Sequence, residues 1–187
     1  YEGNDPVGIG KSLATFSAFA EGVSLYSAFA VLYSFQMRNL LKGIGQQMKW
    51  SVRDESLHSK MGCQLFRHMC SQIPGLKEEC KEHIYDAALT MHNAEMTYIS
   101  KLFEMGDIEG ITEYDLKHFI KKRTGDKLQE LGYKQEGKFK FEYDQKSIDK
   151  MAWFDHLTGG HTHTDFFAIR PTDYSKANEG EDFEDVW

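Results

Sequence analysis

The stretch Trp50-Ser51-Val52-Arg53-Asp54-Glu55-Ser56-Leu57-His58 places a carboxylate and an imidazole three residues apart. On an α-helix this spacing puts Glu55 and His58 on one face, about one turn apart. Upstream, the apolar run 13–35 contains a single charged residue, Glu21. A buried carboxylate is costly unless it is paired, and one metal ion would satisfy all three groups. The pattern predicts half of a carboxylate metal site built into a four-helix bundle.

Helix boundaries around this stretch are marked by polar breaks and by proline and glycine. Pro74-Gly75 ends the helix that carries Glu55, and the polar break 36–39 precedes it. A chain reversal near residue 38 would bring Glu21 and Glu55 to the same depth of two antiparallel helices. The sequence thus predicts four helices: Ser12 to about Gln36, about Lys42 to Gln72, Leu76 to about Met105, and Thr112 to about Leu131.

The third and fourth helices have amphipathic patterns. Apolar positions of the third recur at helical spacing, at Leu76, Cys80, Ile84, Ala87, Met91, Ala94, Tyr98 and Leu102. The fourth begins with the capping pattern Thr112-Glu113-Tyr114-Asp115, and its basic run Lys121-Lys122-Arg123 is interpreted as a solvated face. These helices complete an all-α bundle over residues 1–133.

Beyond the bundle the composition changes twice. The alternating segment 137–143 predicts a short strand or an extended loop, so residues 134–170 are interpreted as a connector packed on the bundle. Residues 171–187 are polar and acidic and end in Glu184-Asp185-Val186-Trp187. Such a segment is expected to be disordered alone and to dock on a partner as a short peptide.

Charge and cysteine content limit the function. A net charge of −7 without a basic stripe argues against a nucleic-acid partner. The run 13–35 reaches the length of a membrane span, but its four serines and its single basic flank favour a buried core helix. Three cysteines without a C-x-x-C pair fit a reducing cytosol and are expected to be buried, inert thiols.

Several short segments resemble, in order, the small subunit of class I ribonucleotide reductase. The resemblance runs from about Lys11 to Trp187. It implies an all-α, ferritin-like helical bundle, here without its N-terminal helices, that holds a dinuclear metal centre for a large catalytic subunit. The matching segments are Phe19-Ala20-Glu21-Gly22-Val23, Leu41-Lys42-Gly43, Arg53-Asp54-Glu55-Ser56-Leu57-His58, Trp153, Thr164-Asp165-Phe166-Phe167 and Asp173-Tyr174.

The resemblance also implies a role for each matching position. Glu21, Glu55 and His58 match metal ligands, and Asp54 matches a residue that hydrogen-bonds a ligand histidine on the radical-transfer route. Tyr174 matches the tyrosine that relays the radical between subunits, and the last residues match the peptide that binds the large subunit. Iron is the expected metal, with manganese as the alternative, because carboxylate and imidazole ligands suit both. A homodimer in the cytoplasm, or in the host cytoplasm for a phage protein, is implied as well.

The family's first acidic ligand, its Glu-x-x-His helix and its radical-bearing tyrosine have no counterpart among these 187 residues. The chain is therefore expected to be a C-terminal half that works with an N-terminal partner chain, or a truncation. Two alternatives stay open: another ferritin-like dimetal oxidase or oxygenase, and a metal-free helical interaction module. His161, His163 and Asp165 resemble a metal cluster, but their place between Gly159-Gly160 and an apolar pair favours a connector.

Overall fold

A computed structural model of the chain describes residues 5–158, and its regular elements in that range are all helical. The predicted all-α class is confirmed. The predictions for Tyr174, for the His161-x-His163 pair and for the acidic tail concern residues 159–187, which lie outside the described residues. The elements are α1 (Pro6–Ala14), a π-helical segment (Thr15–Ala20), α2 (Tyr26–Met37), α3 (Lys42–Gln72), α4 (Leu76–Phe103), α5 (Glu113–Glu130), a 3-10 turn (Gly137–Phe139) and α6 (Gln145–Thr158).

The prediction of one continuous helix from Ser12 to Gln36 is wrong. The helical chain begins earlier, because the Asp5 side chain accepts a 2.9 Å hydrogen bond from the Gly8 amide and Pro6 occupies the first helical position. It then widens into the π-helical segment and breaks into a turn over residues 21–25. Glu21 therefore opens a turn instead of lying in the middle of a helix.

The next three helices agree with the predicted limits. α3 spans Lys42–Gln72 as predicted, and the chain reverses before it through Asn39 and Leu41, both with positive φ. α4 ends two residues earlier than expected, at Phe103. At the start of α5, the Thr112 side chain accepts a 3.0 Å hydrogen bond from the Asp115 amide. This contact is the N-cap that the sequence predicts.

A further helix, α6, was missed by the sequence analysis, which gave residues 134–170 to a connector. The segment before it forms a 3-10 turn and loop, and no strand occurs within residues 5–158. Phe154 of α6 is buried, and its ring meets the rings of Tyr26, Tyr33 and Phe119 at centroid distances of 6.0, 6.2 and 5.2 Å. α6 thus contributes an aromatic centre to the core between α2 and α5.

α3 crosses the π-helical segment at very short range. A Cβ atom added at Gly62 would overlap the side chain of Ser17. The glycine therefore allows the close approach that brings α3 against the chain just before Glu21.

Gly62→Ala is expected to lower the free energy of unfolding by about 1–3 kcal/mol, because the new methyl group must push the π-helical segment away from α3. Gly43→Ala in the same helix is the matched control, since nothing lies within 4 Å of the added Cβ there. That change should raise stability slightly, as alanine favours helix over glycine. Urea denaturation of the two variants measures the difference, and equal effects would contradict the close crossing.

Most of the apolar run 13–35 lies in the core, with Phe16 and Leu25 exposed, and it does not form one long continuous helix. Across residues 5–158, no helix combines the length and the apolar character needed to cross a bilayer.

All three cysteines are free; Cys63 and Cys80 are buried and Cys70 is partly buried. Burial raises the pKa of the Cys63 thiol to about 11. A thiol with that pKa is protonated at neutral pH and is a poor nucleophile.

Candidate metal centre

Two backbone segments position the candidate ligands. Glu55 and His58 lie one turn apart on α3, as their spacing dictates. Glu21 follows the π-helical segment, where its amide donates to the Phe16 carbonyl at 2.9 Å, five residues back. The Ser24 amide repeats this wider spacing to Phe19 at 3.0 Å. The extra residue per turn rotates Glu21 relative to an ordinary helix, and π-helical distortions of this kind often occur at functional sites.

The structure brings Glu21, Glu55 and His58 together. One donor atom from each lies within 4.8 Å of the others, and His58 Nδ1 is 4.0 Å from both Glu21 Oε1 and Glu55 Oε2. Their side chains are 19%, 26% and 49% exposed, in the order Glu21, Glu55, His58. The cluster lies at the edge of the buried face of α3, and its histidine side is open to solvent.

The electrostatics of this cluster favour a cation. Burial is the main factor that raises the pKa of the Glu21 carboxyl; nearby His58 lowers it, and Glu55 and Asp54 raise it further. At 4.0 Å the histidine is beyond hydrogen-bonding distance of either ligand carboxylate. Two carboxylates and an imidazole facing one another without direct hydrogen bonds form a donor set that suits iron or manganese. The residues present therefore fit one half of a dinuclear carboxylate centre.

Asp54 lies on the other side of the imidazole. Its Oδ1 is 3.6 Å from His58 Nε2, and its side chain is 66% exposed. In this arrangement Nδ1 of His58 faces the two glutamates. Nε2 faces the Asp54 carboxylate, which would accept a hydrogen bond from a protonated Nε2. Outer carboxylates of this kind fix the tautomer of a ligand histidine. The role of Asp54 remains a prediction, because the contact is longer than a hydrogen bond.

Contacts that the sequence analysis missed tie the ligand segments to the core. The Tyr26 hydroxyl lies 2.8 Å from Ser56 Oγ, next to Glu55. Arg123 Nε and Nη2 both donate to the Gly22 carbonyl, at 3.2 and 3.1 Å, directly after Glu21. The interpretation of Lys121-Lys122-Arg123 as a solvated face is thus wrong for Arg123. Arg123 precedes the buried residue Thr124, and its side chain faces Gly22 and the Tyr26 ring of α2. The run of three basic residues did not reveal this orientation.

A stripe of exposed apolar side chains runs beside the candidate ligands. Leu57, Met61 and Leu65 follow each other at four-residue intervals on α3 and are 54%, 59% and 52% exposed. Phe16 of the π-helical segment is 62% exposed. An apolar stripe this continuous, rimmed by charged groups, is typical of a surface that another polypeptide covers.

Comparison with known proteins finds similarity to ribonucleotide reductase small chains. The family model described as "Ribonucleotide reductase, small chain" matches residues 1–139. The probable ribonucleoside-diphosphate reductase small subunit 048L of Invertebrate iridescent virus 3 is 32% identical over 179 residues, which cover 91% of this chain and 44% of the viral protein.

Two further relatives agree. The probable small subunit 376L of Invertebrate iridescent virus 6 is 27% identical, with 96% of this chain and 55% of the relative covered. The ribonucleoside-diphosphate reductase subunit beta of Chlamydia pneumoniae is 24% identical, with 89% of this chain and 46% of the relative covered. The chain thus spans about half the length of the curated relatives it matches.

Proposed function

This chain belongs to the ribonucleotide reductase small-chain family, and from that premise we propose that it supplies one wall of a dinuclear metal centre in a ribonucleoside-diphosphate reductase. The proposal rests on one observation above all: Glu21, Glu55 and His58 place donor atoms within 4.8 Å of one another. The family resemblance and the ligand chemistry point to the same three residues.

In this proposal each described residue has a distinct task. Glu21 and Glu55 supply carboxylate oxygens, and His58 supplies Nδ1, the ring nitrogen that faces both. Asp54 accepts a hydrogen bond from the Nε2–H group of His58 and keeps the imidazole in the tautomer whose Nδ1 is free to bind. When bound, the dinuclear centre supplies a one-electron oxidant for reduction of ribonucleotides to deoxyribonucleotides in the large subunit. Iron is the expected metal, and manganese suits the same donors.

We further propose that the opposite wall of the centre comes from polypeptide outside these 187 residues. The apolar stripe of Leu57, Met61 and Leu65, together with Phe16, would then be covered by the helices that bring the remaining ligands. Assembly with the large subunit through the C-terminal tail, pairing of two small subunits and a cytoplasmic location are expected on the family resemblance. Tyr174 would relay the radical between the subunits.

Metal loading of the purified chain tests this proposal. The chain alone is expected to bind a divalent metal weakly, because the described residues 5–158 bring only three candidate ligands together at this site. Stoichiometric loading with two ions is expected only after mixing with a polypeptide that supplies the preceding helices of the bundle. Metal analysis after desalting gives the result. Tight two-metal binding by the chain alone would contradict the division of the site.

The proposed docking tail is tested separately by deleting residues 181–187. Binding to the large subunit of the same reductase is expected to weaken, while metal loading of the assembled small subunit stays the same. Pull-down and metal analysis on one preparation measure both quantities. Unchanged affinity for the large subunit would argue against a docking role for these residues.

A further inference from the structure

Arg123 of α5 holds the turn that carries Glu21. Both of its hydrogen bonds end on the carbonyl oxygen of Gly22, the residue that follows the ligand. The backbone bonds across this turn change spacing from one to the next: Val23 and Ser24 donate to the same Phe19 carbonyl, four and five residues back, and Tyr26 donates to Val23, three residues back, at 3.1 Å. The turn is therefore not held by a continuous helical ladder, and charge-assisted bonds from a guanidinium stabilise it from outside.

The guanidinium itself is fixed by aromatic rings. Its central carbon lies 3.3 Å from the centroid of the Tyr26 ring and 5.7 Å from that of Phe119. A cation stacked on an aromatic face and partly withdrawn from water has little freedom to move. Because the Tyr26 hydroxyl meets Ser56, the same ring also contacts the residue beside Glu55. One contact chain thus joins α5, the Glu21 turn and α3.

Gly22 shows independently that the turn is tightly held. A Cβ atom added there would lie 2.7 Å from Ser59 Oγ on α3 and 2.8 Å from Lys127 Cε on α5. The turn after Glu21 is therefore confined between these two helices, and the Arg123 side chain closes the same gap. A small displacement of this turn moves Glu21 relative to Glu55 and His58.

We propose that Arg123 is a positioning residue for the metal ligand Glu21, because it fixes the Gly22 carbonyl and with it the turn that aims the carboxylate at His58. The inference rests on the metal site proposed above. Arg123 touches none of the candidate donor atoms in the contacts described. Its effect on metal binding is therefore expected to pass entirely through Glu21.

Titration of the full 187-residue chain with Co²⁺ alone, followed by its visible absorption, tests the positioning role. Arg123→Met is expected to weaken Co²⁺ binding about tenfold, the lower end of what outer residues of metal sites contribute. Arg123→Lys keeps the charge and a donor and should recover part of the loss. The matched control is Lys122→Met, since Lys122 is paired only with Asp126 in the contacts described. Equal affinity of Arg123→Met and wild type would overturn the inference.

A double-mutant cycle separates positioning from general damage. In the Glu21→Gln background, Arg123→Met is expected to cause no further loss of Co²⁺ affinity. A loss of equal size in both backgrounds would show that Arg123 acts through general stability and would overturn the inference.

Amide hydrogen exchange tests whether Arg123 holds the turn without requiring bound metal. Amides of residues 19–26 should exchange faster in Arg123→Met, while those of residues 84–99 in α4 keep their wild-type rates. Unchanged exchange at the turn would overturn the inference even if metal affinity fell. If wild type binds no Co²⁺ through Glu21, Glu55 and His58, the proposed metal function fails, and the exchange data still decide whether Arg123 holds the turn. Should Arg123→Met not fold, Arg123→Lys displaces the same turn more gently, because it keeps the charge and a donor.

Discussion

Glu55→Ala is expected to abolish stable metal loading of the assembled centre without destabilising the metal-free fold. In the proposed centre Glu55 supplies one of three donors, and its loss should cost at least the roughly 10–100-fold in affinity that outer residues of metal sites cost. In the metal-free chain, Glu55 also helps to raise the pKa of the Glu21 carboxyl through like-charge repulsion. Removing it relieves that repulsion. If Glu55→Ala lowers metal affinity but raises the stability of the metal-free chain, Glu55 is identified as a functional residue.

Metal content after desalting and urea denaturation of the metal-free chain measure the two effects. Glu82→Ala on α4 is the matched control, since Glu82 is an exposed glutamate far from the ligands in sequence. Asp54→Ala should cause an intermediate loss of metal, because it leaves all three donors and removes only the carboxylate facing Nε2. Full retention of metal by Glu55→Ala would remove Glu55 from the site.

The pairing of the candidate ligands Glu55 and His58 on α3 was predictable from local rules alone. Helical spacing fixes Glu55 and His58 on one face, and Pro74-Gly75 ends the helix where the structure ends it. The reversal near residue 38 follows from the first polar break after the apolar run. These features depend on neighbours within a few residues, so a single sequence is enough to find them.

The position of Glu21 was predictable only in part. Its approach to Glu55 follows from the chain reversal, but the π-helical segment and the turn do not follow from apolar periodicity. Thr15–Ala20 contains no proline or glycine that would mark a break. The widening depends on tertiary contacts: Gly62 lets α3 approach Ser17, and Arg123 binds the Gly22 carbonyl from α5. Interactions between residues that are 45 and 101 positions apart leave no local sign in the sequence.

The buried face of α4 illustrates a different limit. The predicted apolar stripe ran through Ala94 and Tyr98, yet Tyr98 is 40% exposed and the buried positions are Glu95 and Ile99. A strict period of 3.6 residues counted from Ile84 reaches residue 95 and not 94. The prediction favoured apolar residue types and therefore displaced the buried stripe by one residue. It overlooked the buried Glu95 for the same reason.

That acid, Glu95, gives the second large prediction. It is 5% exposed, and its Oε2 accepts a 2.5 Å hydrogen bond from the Ser27 hydroxyl of α2. Burial raises the pKa of the Glu95 carboxyl to about 7, against an ordinary value of 4.5, and the hydrogen bond only partly opposes this shift. Between these two pH values the unfolded chain has released the proton while the folded chain still holds it. Stability therefore falls as pH rises from 4.5 to 7 and stays low above that.

Glu95→Gln is expected to remove this dependence, because glutamine stays neutral and its carbonyl can accept the same bond from Ser27. At about 1.4 kcal/mol for each unit of pKa difference, the variant should be more stable than wild type by roughly 3 kcal/mol at pH 8 and close to it near pH 4.5. Urea denaturation at both pH values measures this, with the exposed Glu82→Gln as control. Parallel pH profiles for wild type and Glu95→Gln would show that Glu95 is ionised in the folded chain. A gain at pH 8 that disappears near pH 4.5 would show that burial between α2 and α4 favours the protonated form of Glu95.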